Sequence, residues 1–296
     1  MTLNQFGKLA IAEIVFYIPI IVVAFIVTLR HGFNRKAGWV LLLSFAVIRF
    51  VGSILAVVAQ DEANPSSTLL TVAGILQALG LSPLLLATFA FISKLVDMTL
   101  PHLSRLLNLV RIILVVGLIL AIIGGTDQTP GNSQSSQNDG HTLSKVSSIL
   151  YLVGYLALFG VHVLLWSVRE DLPAVYRKFL LHISIALPFL AVPVLYFILG
   201  SFKPNSKFSP TTGDWRIYLV MDLIMEYIVV CIYIVSGITI PHREEEAIIS
   251  TYNQGATYDQ GTTYGRGATY NQAPTGEPFQ LQDILGKTRI GRRFMG

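Results

Sequence analysis

The chain is short of charge. Asp, Glu, Lys and Arg make up 13% of its 296 residues, about half the ~25% of an ordinary soluble domain. The shortage is uneven: residues 1–240 hold long apolar runs and residues 241–296 are polar. A water-soluble domain is excluded for the first part, because too few polar residues remain to cover it. There is one cysteine, Cys231, so no disulfide can form within the chain. No N-x-S/T sequon with a permitted middle residue occurs. The formal net charge of +4 is small, which argues against nucleic acid as a partner. There is also no G-x-S-x-G, H-E-x-x-H, Walker A or Rossmann glycine pattern. An enzyme of those classes is therefore not expected, nor is a cofactor. The last apolar run has no lysine, which excludes a retinal Schiff base there.

What is present is a series of seven apolar runs, at about 8–29, 38–59, 68–93, 106–123, 144–168, 178–200 and 216–239. Each is near the ~20 residues that cross ~30 Å of hydrocarbon as a helix. None alternates as a barrel strand does. The expected fold is all-α: a polytopic seven-transmembrane-helix bundle in a lipid bilayer, over residues 1–240. The first run lacks the basic n-region and A-x-A site of a cleaved signal peptide.

Lys and Arg are biased between the loops. Arg30, Arg35 and Lys36, then Lys94, Arg105 and Arg111, then Arg169, Arg177 and Lys178 fall on one side. The other side has Lys145, Lys203 and Lys207. The bias predicts an outside N-terminus and a cytoplasmic C-terminus, with the plasma membrane the favoured location. The outer connection 124–143 is rich in Gly, Ser, Gln and Asn and is expected to be a flexible loop.

Residues 241–296 form the tail. It contains TYNQGA, TYDQGT, TYGRGA and TYNQAP, a TYxxGx repeat over 251–274. With almost no aliphatic residues it cannot bury enough surface to fold alone. A disordered cytoplasmic segment is expected, either a linker or a tyrosine-spaced surface for a cytoplasmic protein. The final "PFQLQDILGKTRIGRRFMG" mixes apolar and arginine residues, as a segment lying on an anionic leaflet would.

The second run carries Arg49 near its centre. An arginine there costs about 2.5–3.5 kcal/mol on insertion scales, so it needs a partner. Glu13 lies in the first run, and Asp222 and Glu226 lie one turn apart in the seventh. Counting about 1.5 Å per residue from the span ends puts Arg49 and Glu226 both near the midplane, with Gln77 of the third run at a similar depth. The expectation is a buried cluster of Arg49, Glu226, Asp222, Glu13 and Gln77, either structural or lining a ligand, proton or ion site. If all are ionised, three carboxylates and one guanidinium leave about −2 formal charge. A low-dielectric site then calls for a protonated carboxyl or an added cation.

Other signals are weaker. His162 and His182 lie towards the cytoplasmic ends of the fifth and sixth runs. They are expected to make a polar helix–helix contact rather than a metal site, since two histidines are too few ligands. Gly74, Ala78 and Ser82 form a small-residue stripe that suits close packing. Pro19, Pro83, Pro188 and Pro193 fall inside runs and should kink them. The last two make the sixth run the candidate moving helix.

Seven spans with an outside N-terminus also describe G-protein-coupled receptors. The third run, however, ends "FISKLVD", the seventh lacks N-P-x-x-Y, and a lone cysteine cannot make their outer disulfide. A closer likeness lies in "LRHGFNRKAGWVLLLSFAVIRFVGSI" at 29–54 and "LGLSPLLLATFAFI" at 79–92. These resemble a fungal family of integral membrane proteins catalogued only as a domain of unknown function. There a His-Gly turn leads to Gly-Trp and an apolar helix with an Arg and a Gly, here His31, Gly32, Gly38, Trp39, Arg49 and Gly52. The resemblance spans about residues 7–240 and implies that Arg49 belongs to the fold's shared pattern. It implies no activity. On function, the residues favour a receptor-like sensor of a small or lipid-like ligand. The alternative is a proton- or cation-coupled transporter or lipid exporter.

Overall fold

The computed structural model describes residues 4–31, 38–62, 65–128, 133–203, 207–208 and 213–239. The tail, with its repeat and arginine-rich end, lies outside them. Among the described residues there is no strand. The helices are α1 (Gln5–His31), α2 (Gly38–Asp61), α3 (Ser67–Ala78), α4 (Leu81–Thr99), α5 (Ser104–Asp127), α6 (Gln134–Ser167), α7 (Ala174–Phe202), α8 (Trp215–Tyr218) and α9 (Met225–Thr239), with a π turn at Leu219–Ile224 between the last two. They make seven helical stretches long and apolar enough to cross a membrane, the third being Thr68–Thr99 and the seventh Trp215–Thr239.

The third stretch is the axis of the bundle: its apolar window is 71% buried, against 22% to 44% for the others. α4 packs on α2, α5, α6, α7 and α9, and residues all round it are buried, among them Leu84, Leu85, Thr88, Phe91, Ile92 and Leu95. A helix apolar on every face belongs in such a position. Large aliphatic residues exposed on the outer helices, such as Ile112 and Val163, face where lipid would lie.

Pro83 breaks this third stretch. A proline lacks the N–H and its ring clashes with the carbonyl four residues before it, here that of Leu79. α3 stops at Ala78 and α4 restarts at Leu81. The freed Leu79 carbonyl accepts from both the backbone N–H and the Oγ of Ser82, each at 3.2 Å. The expected small-residue stripe therefore does not run along one helix, since Gly74 lies in α3 and Ser82 in α4. Pro19, Pro188 and Pro193, by contrast, lie inside continuous helices.

The connection 124–143 corrects the expectation of a flexible loop. α5 runs to Asp127 and α6 begins at Gln134, leaving a short link. The reason is a close crossing of small residues. A Cβ on Gly124 would lie 2.9 Å from the Gly140 carbonyl oxygen, so any side chain there would separate the helices. Gln128 Nε2 ties the crossing by donating to the carbonyls of Gly124 (2.9 Å) and Gly140 (3.1 Å) and to Ser144 Oγ (2.6 Å). One heptad further along each helix, Ser147 Oγ donates to the Gly117 carbonyl at 2.8 Å. At 34 residues, α6 is about 51 Å long, more than a bilayer core requires.

At the opposite end of the bundle the motif residues pack together. His31 Nε2 lies 2.9 Å from the Gly237 carbonyl oxygen, and Arg30 Nη1 donates to that of Ile238 at 3.2 Å. α1 thereby caps the last turn of α9, whose carbonyls have no partner within their own helix. Trp39 stacks on His31, with ring centroids 5.1 Å apart. A Cβ on Gly38 would lie 2.9 Å from the Ala87 carbonyl oxygen and closer still to the Phe91 ring.

Candidate functional site

Arg49 is 2% exposed, and all five of its N–H groups have acceptors. Nε donates to Glu226 Oε2 at 2.8 Å. Nη2 donates to the same oxygen and to Asp222 Oδ2, the latter at 2.6 Å. Nη1 donates to the Tyr218 hydroxyl at 3.0 Å and to the Gln77 main-chain carbonyl at 3.3 Å. Glu13 Oε1 lies 3.6 Å from Nη1. The cluster thus joins α1, α2, the end of α3 and the α8–α9 stretch.

Local structure sets each of these positions. Tyr218, Asp222 and Glu226 recur every four residues. In a regular α-helix that spacing drifts by about 40° per step. The wider π turn at Leu219–Ile224, a feature frequent at functional sites, lies between Tyr218 and Glu226, and all three side chains reach Arg49. Gly80, in the break made by Pro83, supplies the room: a Cβ there would lie 2.6 Å from the Arg49 guanidinium carbon. On α1, Glu13 Oε2 lies 2.6 Å from Ser53 Oγ, and Ser53 Oγ also lies 2.8 Å from the Arg49 carbonyl oxygen. Tyr218 OH is 3.5 Å from Glu13 Oε1.

Glu13, Arg49, Asp222 and Glu226 therefore come together at short range. Gln77 meets Arg49 through its main chain, so its amide is not the reason for its place. Sequence reasoning missed Tyr218, Ser53 and Gly80. The first two were within reach, since Tyr218 sits four residues before Asp222 and Ser53 four residues after Arg49, each on the same helix face. Gly80 carried no such signal.

The buried polar atoms near the arginine with no hydrogen-bond partner among the described residues are Glu226 Oε1 and the hydroxyls of Tyr17 and Tyr196, the last on a ring packed against Tyr218. All three residues are buried, and such atoms in a native protein call for an explanation.

The histidine pair separates. His162 Nε2 is 2.8 Å from Ser184 Oγ, and Trp166 Nε1 donates to both, at 3.1 Å to the histidine and 2.8 Å to the serine. His182 Nδ1 instead sits 3.5 Å from Ser236 Oγ of α9. Two residues apart on a helix are about 200° apart around it, so the face that brings Ser184 to His162 turns His182 away. The expected contact between the two histidines is replaced by one serine contact each. Among the described residues no group of three or more His, Cys, Asp or Glu could hold a metal ion.

No curated protein and no solved structure matches this chain. A family model described as "Domain of unknown function (DUF7702)" matches residues 3–243, most of the chain and all of its apolar helices, and the chain belongs to that family.

Proposed function

We propose that this multi-pass membrane protein is a receptor-like sensor of a small or lipid-like ligand, with its N-terminus outside and its tail in the cytoplasm. The observation that carries the reading is the Arg49 cluster. It ties four of the seven spans through one guanidinium, so a ligand that competes for Arg49 changes four helices at once. Such a shared, bistable element is what coupling between two faces of a protein requires. The buried, unpartnered Glu226 Oε1 and Tyr17 hydroxyl supply acceptor and donor positions that a ligand would fill. The bias of Lys and Arg towards one set of loops supports the orientation, and the tyrosine-spaced tail is suited to a cytoplasmic protein partner.

The test is to purify the protein in mild detergent and identify co-purified small molecules by mass spectrometry. Wild type is compared with Glu226→Gln and Asp222→Asn at matched helicity. The reading expects a species bound to wild type and lost from folded variants. A species unchanged by both variants would leave the cluster a purely structural lock.

A second reading, a proton- or cation-coupled transporter or lipid exporter, is favoured by one feature, the excess of three carboxylates over one guanidinium. Uptake into sealed vesicles, driven by an imposed proton or cation gradient, separates the two.

A further inference from the structure

The hydrogens around Ser53 can be counted. Its hydroxyl has one proton to donate and two oxygens within bonding distance, the Arg49 carbonyl at 2.8 Å and Glu13 Oε2 at 2.6 Å. Were Glu13 ionised, both would be acceptors, and one of these short contacts would set lone pairs against lone pairs. If Glu13 Oε2 carries a hydrogen, the conflict disappears: Glu13 Oε2–H donates to Ser53 Oγ, and Ser53 Oγ–H donates to the Arg49 carbonyl. The chain of bonds then runs in one direction with every member satisfied.

The rest of the cluster agrees. Glu226 and Asp222 take the direct N–H bonds of Arg49, whereas Glu13 stands off at 3.6 Å. Among the described residues, its Oε1 has only the Tyr218 hydroxyl, at 3.5 Å, as a further donor. Of the three carboxyls, Glu13 is the least compensated by the guanidinium while being 1% exposed. The charged and titratable groups facing it are Arg49 from α2, Tyr218 and Asp222 from the α8 and π segment, and Glu226 from α9, with Tyr17 one turn along on α1. One proton on Glu13 brings the formal charge of the cluster from −2 to −1.

We propose that Glu13 is a proton-binding site, holding an exchangeable proton that it donates to Ser53 and so joining the first span to the second in the protonated state. Release of that proton creates a carboxylate 3.6 Å from Arg49 Nη1, which competes with Tyr218 and Gln77 for that nitrogen. Protonation and the arrangement of the four spans are thereby linked. The functional meaning rests on the reading of the cluster given above, but the test does not, because it detects the proton itself.

The experiment is infrared spectroscopy of the full-length protein in lipid nanodiscs at neutral pH, in H2O and D2O. The expected result is a protonated-carboxyl C=O band in wild type, shifted by deuteration, lost in Glu13→Gln and kept in Glu226→Gln. Ser53→Ala supplies a readout that does not depend on Glu13→Gln folding. It removes the acceptor of the Glu13 proton, so the band should move to the higher frequency of a free carboxylic acid. A wild-type spectrum with no such band overturns the proposal, because Ser53 then donates to an ionised Glu13. A band that survives Glu13→Gln in helical protein, or that Ser53→Ala leaves in place, also overturns it. Failure to find a co-purified ligand, by contrast, would count against the sensor reading and leave this result standing.

Discussion

Removing Arg49 and Glu226 singly and together probes the cluster most directly. Arg49→Gln leaves Asp222 and Glu226, 8% and 0% exposed, with no counter-charge. Breaking a buried ion pair from one side costs about 3–5 kcal/mol, and both carboxylates lose their partner here. Glu226→Gln is gentler. Arg49 keeps Asp222 at 2.6 Å, and what goes is the charge on the oxygen shared by Nε and Nη2. Hydrogen bonds to charged groups are worth roughly 1.5–3 kcal/mol, which sets the expected cost. If the two residues acted independently, the double variant would lose about 4.5–8 kcal/mol, the sum of these ranges. It removes both charges, however, and puts neutral amides in their place. Its loss is therefore expected to stay near that of Arg49→Gln alone, a recovery of about 2 kcal/mol and within the ~0.5–3 kcal/mol seen for contacting residues. Reversible unfolding in mixed micelles, followed by fluorescence of Trp39, Trp166 and Trp215, measures all four proteins. A double variant additive within about 0.5 kcal/mol would falsify the pairing.

Four further predictions use the same assay. Gly80→Ala drives a methyl group to 2.6 Å from the Arg49 guanidinium carbon, and the guanidinium is held from several sides. An overpacking cost of about 1–3 kcal/mol is expected, and it should largely vanish in an Arg49→Gln background; a cost unchanged there would place the clash elsewhere. Tyr233→Phe removes a buried bond of 2.8 Å to Thr88 Oγ1 and should cost about 1 kcal/mol. Tyr17→Phe removes a buried hydroxyl that has no partner among the described residues and should be neutral or stabilising. A clear loss from it would reveal a bound group at that hydroxyl. Gly140→Leu should separate α5 from α6 at the Gly124 crossing and cost at least the ~1–3 kcal/mol of an overpacked core, while the same change at Gly160, whose Cβ would meet nothing within 4 Å, should be tolerated.

Much of this protein was legible in its sequence. Helices in a bilayer must satisfy their own backbone, and an apolar run of spanning length has few other options, so the number and approximate places of the seven stretches follow from residue types alone. The partners of Arg49 were legible for a related reason. Ionisable residues are so rare in such runs, and so costly when alone, that Glu13, Asp222 and Glu226 were almost the only candidates. Depth along each helix then selected among them. The motif residues His31, Gly38 and Trp39 were visible as a pattern, but not their task of closing the end of α9.

Tertiary structure decided what depends on rotation about a helix axis and on close approach between helices. The π turn redirects Tyr218, Asp222 and Glu226, and no composition signal marks it, because it is a register adjustment of one residue. The break at Leu79–Gly80 follows from Pro83, yet its consequence, a space the size of a guanidinium, exists only where α2 crosses it. The helical ends of α5 and α6 were hidden by polar composition. Gly, Ser and Gln there read as loop until the crossing of Gly124 and Gly140 shows them as contacts between backbones. His162 and His182 were separated by helical rotation, which depth alone does not fix. The apolar runs set the fold because the solvent around them demands it; the hydrogen-bond geometry at Ser53 and Glu13 is set by distances of a few tenths of an ångström, which only the packed bundle determines.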